Sequence, residues 1–367
     1  MNVGNAKRHL MLPFPMFTFA MALLLASFTS LVLASCVAIR KSDYPSLEEL
    51  RAKPERQASA YAPDLEAALA KKLVDRIAPI PPAALDNYRK LDGIPTYAAY
   101  SPSQAERELL DRYCELLPPP FKRAMEGKLL GIYFIENFAG GGMTDFVFGP
   151  GGDAGKDSLY FILILNPRIL KMSLSDWIAY RDASPYEASG SDLELRSSCT
   201  GAKDYRGLLQ TLTHEAAHVY DYVHHVTPFV EPALGRYPDR TIVAAGDCGF
   251  TRGVWEGYAK PNSAYAIPRR AETASYGLGP KLPLSVALDQ YRALEKTPFA
   301  SFYGSGSWAE DFAEAATWTY LRDQFGIGYK VALLRGGREE LRFSADASRW
   351  SEARSRVIRE SLGDSAP

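Results

Sequence analysis

The spacing of apolar positions changes period along the chain, and each change marks an expected element. Leu65, Ala68, Leu69, Leu73 and Ile77 predict a helix over 64–80 that starts near Asp64 and ends at Pro79, Pro81 and Pro82. Leu109, Leu110, Tyr113 and Leu116 predict another over 102–117, stopped by Pro118 to Pro120, with a short turn over 121–126. The texture then becomes extended. Residues 129–134 (LLGIYF) and 160–165 (YFILIL) are dense in β-branched and aromatic side chains, and 145–148 is a shorter third strand. Residues 160–166 are the expected edge of the sheet. Glycines at 140–142 and 149–152 read as hairpin turns. Gly155 and Lys156 raise the question of a phosphate loop. The spacing rejects it, because Pro150 stands where a glycine is needed and Asp157 where a hydroxyl is needed.

Helical spacing returns with Leu208, Leu209, Leu212, Ala216, Val219, Tyr220 and Val223, a buried amphipathic helix starting near Lys203 or Asp204 after a polar loop over 189–203. An insert over 228–283 is rich in glycine, proline and aromatics; it either hangs over a cleft or packs the back of the domain. Helices over 284–294 and 307–324 follow. The stretch 335–367 is charged, with a helical pattern through Trp350, Ala353, Val357 and Ile358, and should dock on the surface.

The helix after residue 203 carries the chemistry. Within TLTHEAAHVYDY, His214, Glu215 and His218 form an H-E-x-x-H pattern. Residues four apart lie one above the other on a helix, so both imidazoles can reach one Zn²⁺. Glu215 then sits beside the metal, where a carboxylate takes a proton from a zinc-bound water. Of the 5 histidines, His214, His218, His224 and His225 cluster here, and Ala216 and Ala217 add no bulk. Two histidines at chance spacing on a surface helix are the alternative. Asp221, His224 and His225 read more simply as solvated residues at a helix end.

Two histidines leave a catalytic zinc one protein ligand short. The helix over 307–324 offers Glu310 and Glu314 on one face, in the run Glu310-Asp311-Phe312-Ala313-Glu314. Here the sequence resembles the gluzincin metallopeptidases, most closely the catalytic domain of the anthrax lethal factor type. The resemblance implies that Glu310 is the third ligand and that Glu314 supports a histidine ligand. It also implies that Tyr303, seven residues before the ligand, stabilises the oxyanion. It covers the metal helix, the later helix and the strands between 129 and 165, and does not reach 37–100. The gap between His218 and Glu310 is longer than the group's, which leaves Glu231, Glu256, Glu272 and Asp221 as rival ligands. Ser307 and Glu310 also fit a capping box, in which the glutamate only bonds the helix start.

Residues 1–36 read as a leader. Lys7 and Arg8 precede an almost wholly apolar run over 16–33. Leu33-Ala34-Ser35-Cys36 resembles the lipobox of bacterial lipoproteins, which implies cleavage before Cys36 and lipidation of its thiol. A spanning anchor is the alternative. Val37 in place of an aspartate implies, by the same resemblance, the outer membrane of a two-membrane bacterium. The formal net charge is −1 with 42 basic and 43 acidic side chains, and the leader removes only Lys7 and Arg8; nothing points to nucleic acid. Cys114, Cys199 and Cys248 could form one disulfide in an oxidising compartment, with the pairing left open.

The expected protein is an α+β, zincin-like domain. It comprises a signal peptide (1–35), a tether (36–63), a helical extension (64–128), a catalytic domain with a mainly helical second half (129–334) and a helical tail (335–367). Its expected function is that of a lipid-anchored zinc metallopeptidase of the cell envelope, facing the periplasm or the cell surface and acting on a protein or peptide. A non-catalytic envelope lipoprotein that uses the same fold for binding or assembly is the alternative.

Overall fold

The computed structural model describes residue 49 and residues 51–150, 159–228, 248–345 and 347–363, and its fold is mixed α+β. The expected helix over 64–80 is broken in two. Helix α1 (Leu65–Leu69) starts where the Asp64 carboxylate accepts from Ala67 N, and a 3₁₀ turn (Leu73–Arg76) follows. The break lets Arg76 turn inward, where its guanidinium donates to the carbonyls of Leu69, Lys71, Met125 and Glu126. The Leu69, Met125 and Glu126 carbonyls lie in last helical turns, where intrahelical donors run out. Pro81 and Pro82, expected only as stops, also open α2 (Pro82–Asp92), since proline at a first turn lacks only an N–H the helix does not use there.

Strand β1 (Ala98–Tyr100) leads to α3 (Gln104–Glu115), held at its start by a reciprocal Ser103–Glu106 capping box, and to α4 (Pro119–Lys128). Strands β2 (Leu129–Glu136), β3 (Gly142–Phe148) and β4 (Leu159–Leu165) complete a sheet of order β1-β2-β4-β3. Strands β2 and β4 run parallel; the other pairs are antiparallel. Two expectations fall with this order. Strand β4 is central, so β3 and not 160–166 is the edge. The glycines at 140–142 make no hairpin: the chain leaves β2, crosses the end of β4 and enters β3 on its far side. Asn166 fixes that crossing, with its N–H donating to Gly141 O and its side-chain amide to Phe138 O.

The sheet is buried on both faces, which explains the unbroken apolar run of β4. Phe161, Leu163 and Leu165 face the main core, while Ile162 and Ile164 face a second core with Ile80, Tyr88 and Tyr97 from the N-terminal region. Residues 64–128 thus cover the sheet and share its cores. Part of the expected tether also docks: Ala58 and Ala62 are buried, Arg56 pairs with Asp145 and donates to Phe146 O, and Gln57 bridges to Phe148. Among the described residues no helix is long and apolar enough to cross a membrane. The leader and Cys36 lie outside the described residues.

After α5 (Arg168–Lys171), α6 (Leu174–Ala183) and β5 (Tyr186–Glu187), strand β6 (Leu193–Thr200) precedes the long helix α7 (Gly207–His224). Helix α7 starts later than expected, at Gly207, where a Cβ would lie 2.7 Å from the Trp177 ring. The insert contributes β7 (Trp255–Gly257), β8 (Lys260–Pro261) and β9 (Leu282–Pro283), before α8 (Ser285–Leu294). Helix α9 (Trp308–Phe325) packs against α7 and is buried nearly all round.

The second half is less helical than expected. Strands β10 (Gly328–Arg335) and β11 (Arg338–Ser344) form a hairpin that joins β6 in a β11-β10-β6 sheet. Gly336 and Gly337, with φ of +56° and +80°, supply its two-residue turn. Helix α10 (Glu352–Leu362) closes the described chain. Cys114, Cys199 and Cys248 are free thiols, and burial pushes Cys114 and Cys199 up to about 12.

Candidate metal centre

Helix α7 presents His214 and His218 one turn apart, their rings edge to face at 4.7 Å and their Nε2 atoms 3.1 Å apart. Helix α9 brings Glu310 to the same point. Its Oε2 lies 3.0 Å from His214 Nε2 and 3.6 Å from His218 Nε2. The cap and ligand readings of Glu310 both contain part of the answer. Ser307 does cap α9, accepting from Glu310 N at 3.3 Å, while the Glu310 carboxylate turns to the histidines.

The three donor atoms lie within 4.8 Å of one another, a group that could hold a metal ion. Ligands at roughly 2.0–2.2 Å from a tetrahedral ion stand about 3.3–3.6 Å apart, so the measured separations fit after small adjustments. The donor set, two imidazoles and one carboxylate, is the chemistry such an ion needs.

Behind His214 the arrangement is tightly held. Glu314 is fully buried, and its Oε1 lies 3.1 Å from His214 Nδ1, which turns Nε2 toward Glu310. Glu314 accepts from Arg181 at 2.9 and 3.0 Å, from Gln210 Nε2 at 2.9 Å and from Trp318 Nε1 at 2.9 Å. Arg181 also donates to Asp182, which accepts from Ser197 and Tyr329. Burial works against a charged His214, but Glu310 and Glu314 outweigh it and push the ring up to about 10. The same field favours a divalent cation at Nε2, with which that proton competes. Burial would raise Glu310 and Glu314, yet the His214 and His218 rings hold the first, and Arg181 with His214 the second, below the usual carboxylate range.

Glu215 lies between the histidines and the sheet edge. Its Oε2 accepts from Thr144 Oγ1 of β3 at 2.8 Å, and burial raises its carboxyl above the ordinary value. The glycines at 140–142 make this approach possible. A Cβ on Gly142 would lie 2.9 Å from Glu215 Cγ, and one on Gly141 2.7 Å from Thr211 Oγ1. Residues 142–145 of the edge are partly exposed, whereas Arg56 and Gln57 cover the other end of β3. The Tyr303 ring stands 5.8 Å from the His214 ring, with the Arg181 guanidinium 5.4 Å from its centre. Burial and the Glu310 charge raise its phenol well above the ordinary range.

The described rivals of Glu310 are engaged elsewhere. Asp221 accepts from Thr227 N at 2.6 Å and Oγ1 at 2.7 Å; Glu256 pairs with Lys260, and Glu272 with Arg269. Glu231 lies outside the described residues. His224 packs on Tyr220, and His225, with φ +52°, ends α7. Arg181 and Thr144 join the site although no motif in the sequence marks them. Arg181 lies on a short helix whose sequence says nothing of its distant partner Glu314. Comparison of the chain with models of protein families, with curated proteins and with solved structures found no match.

Proposed function

We propose that the chain is a zinc-dependent peptidase with a zincin-like catalytic fold and a gluzincin ligand set, held in a bacterial cell envelope by a lipid on Cys36. The observation that carries this reading is the meeting of His214, His218 and Glu310 with Glu215 alongside. Zinc held by those three residues would supply a Lewis acid that polarises the scissile carbonyl and activates water.

The chain's own residues then divide the work. Glu215, its carboxyl raised by burial, takes a proton from the attacking water and passes it to the departing amine nitrogen as the C–N bond breaks. Thr144 holds one Glu215 oxygen and so orients the other. Tyr303 donates to the oxygen of the carbonyl as negative charge develops on it. Glu314, clamped by Arg181, Gln210 and Trp318, fixes the His214 ring. The partly exposed start of β3 offers unpaired backbone groups to an extended peptide.

Glu215→Gln should retain zinc at the wild-type stoichiometry and lose peptide hydrolysis by roughly 10²–10⁴-fold. A peptide-library digest with and without chelator, run beside elemental analysis, reads both quantities. Unchanged turnover in the variant overturns the mechanism; zinc with no turnover in the wild type favours the binding-module alternative.

A further inference from the structure

Tyr276 occupies a position that suits its residue type poorly. Leu278 N donates to Ser275 O at 3.3 Å, closing a four-residue turn, and both central residues have positive φ, +62° at Tyr276 and +82° at Gly277. That is the pattern of a type I′ turn, whose first central position favours Asn, Asp or Gly. A bulky side chain there strains the backbone, and such strain persists where surrounding contacts hold it.

Those contacts tie Tyr276 to the candidate site. Its N–H donates to Ser184 Oγ at 2.7 Å, and its ring stacks on the fully buried Trp177 at 5.8 Å. It meets Tyr303 edge to face at 5.9 Å, and Tyr303 in turn lies 5.8 Å from His214. On the other side, a Cβ on Gly140 would sit 3.7 Å from Tyr276 Cδ2. The ring therefore spans from the loop that feeds β3 to the tyrosine beside the histidines. Trp177 behind it and Tyr180 beside it hold the ring rigidly; the residue is partly exposed, while its hydroxyl end is buried toward Arg181 and Glu314.

A peptide paired along β3 and passing Gly142 continues toward Gly140, and there its side chain meets this ring. Building on the hydrolase reading, we propose that Tyr276 is the specificity-determining residue of the site. It selects substrates whose side chain at the Gly140 end of the β3 edge is aromatic or bulky and apolar. Tyr276 lies in the 228–283 insert, so part of that insert shapes substrate choice instead of only packing the back of the domain.

The test compares two zinc-binding probes that differ by one phenyl group, 3-phenylpropanohydroxamic acid and propanohydroxamic acid, titrated calorimetrically into the zinc-loaded full chain. Wild type should bind the phenyl compound about tenfold or more tightly. Tyr276→Phe should keep that ratio. Tyr276→Asn should reduce it to about one while zinc stoichiometry stays unchanged, because asparagine suits the turn and removes the ring. A parallel peptide-library digest should show an aromatic or bulky apolar preference at one position in wild type that Tyr276→Asn flattens. Equal affinities in wild type, or a ratio that Tyr276→Asn leaves unmoved, overturns the assignment of Tyr276. A ratio that is present and lost in the variant, beside a library that wild type leaves uncut, supports the role of Tyr276 and overturns the peptidase reading.

Discussion

At Gly142 a single added methyl group would press on the Glu215 side chain. The Cβ of an alanine would lie 2.9 Å from Glu215 Cγ and 3.1 Å from its Oε1, so the carboxylate or the strand must move. A displacement of about 1 Å at a catalytic group can cost on the order of 10²-fold in rate. On the proposed hydrolase reading, Gly142→Ala should therefore cut turnover by roughly that factor while zinc stoichiometry, read by elemental analysis, stays at the wild-type level; full turnover in a variant of an active wild type would refute the close approach. The glycine run was visible in the sequence, but its cause was not. A turn and a tight backbone contact both select glycine, and only the position of α7 against β3 tells them apart. His214, Glu215 and His218 were legible because four-residue spacing on a helix fixes their relation locally. Arg181 was not, since nothing in a short helical segment says that an arginine will be 1% exposed and paired with a glutamate more than a hundred residues away.

Helices were easier to foresee than sheets for the same reason. Helix α9 was expected over nearly its observed range, because its period and its Ser307 cap are local signals. The strand order β1-β2-β4-β3 and the joining of β6 to β10 depend on distant pairing that no window of sequence contains. The alternation of Tyr329, Val331 and Leu333, followed by Gly336-Gly337 and then Leu341 and Phe343, was a hairpin signal that a charged surrounding obscured. Helix α10 is the clearest case of an element whose role lies outside its own sequence. Its Arg354 is buried, stacks 3.8 Å from the Phe250 ring and pairs with Asp311, which also accepts from Trp255 Nε1 at 2.8 Å. Asp311 is the neighbour of Glu310, so the tail and part of the insert both brace the turn of α9 that carries the candidate ligand. Removing one partner of a buried ion pair leaves the other charge uncompensated, at a cost of about 3–5 kcal/mol. Arg354→Met should lower stability by that amount in urea unfolding, and Arg354→Met with Asp311→Leu should recover only part of it, because Trp255 Nε1 loses its acceptor. A single variant within about 1 kcal/mol of wild type would show that the pair does not brace α9.

At the scale of the whole molecule, the sheet beside the candidate site has one edge that is covered along only part of its length. Residues 51–62 protect the far end of β3: Arg56 donates to Phe146 O and pairs with Asp145, Gln57 bridges to Phe148, and Ala58 and Ala62 enter the second core. The start of β3, beside Glu215, has no such cover among the described residues. A long exposed edge invites pairing with another chain, so the N-terminal segment limits the accessible edge to the stretch that faces the candidate metal centre. This arrangement predicts a sharp difference between two truncations. A chain beginning at residue 51 keeps Arg56, Gln57, Ala58 and Ala62 in place against β3 and the second core. A chain beginning at residue 64 leaves Asp145 without Arg56 and opens the whole β3 edge. Loss of one charge-assisted hydrogen bond and the local burial should lower its midpoint by on the order of 5 °C and promote association at micromolar concentration. Scanning calorimetry and light scattering would read both effects. Equal midpoints and a monomeric shorter chain would mean that residues 51–63 serve only as a tether.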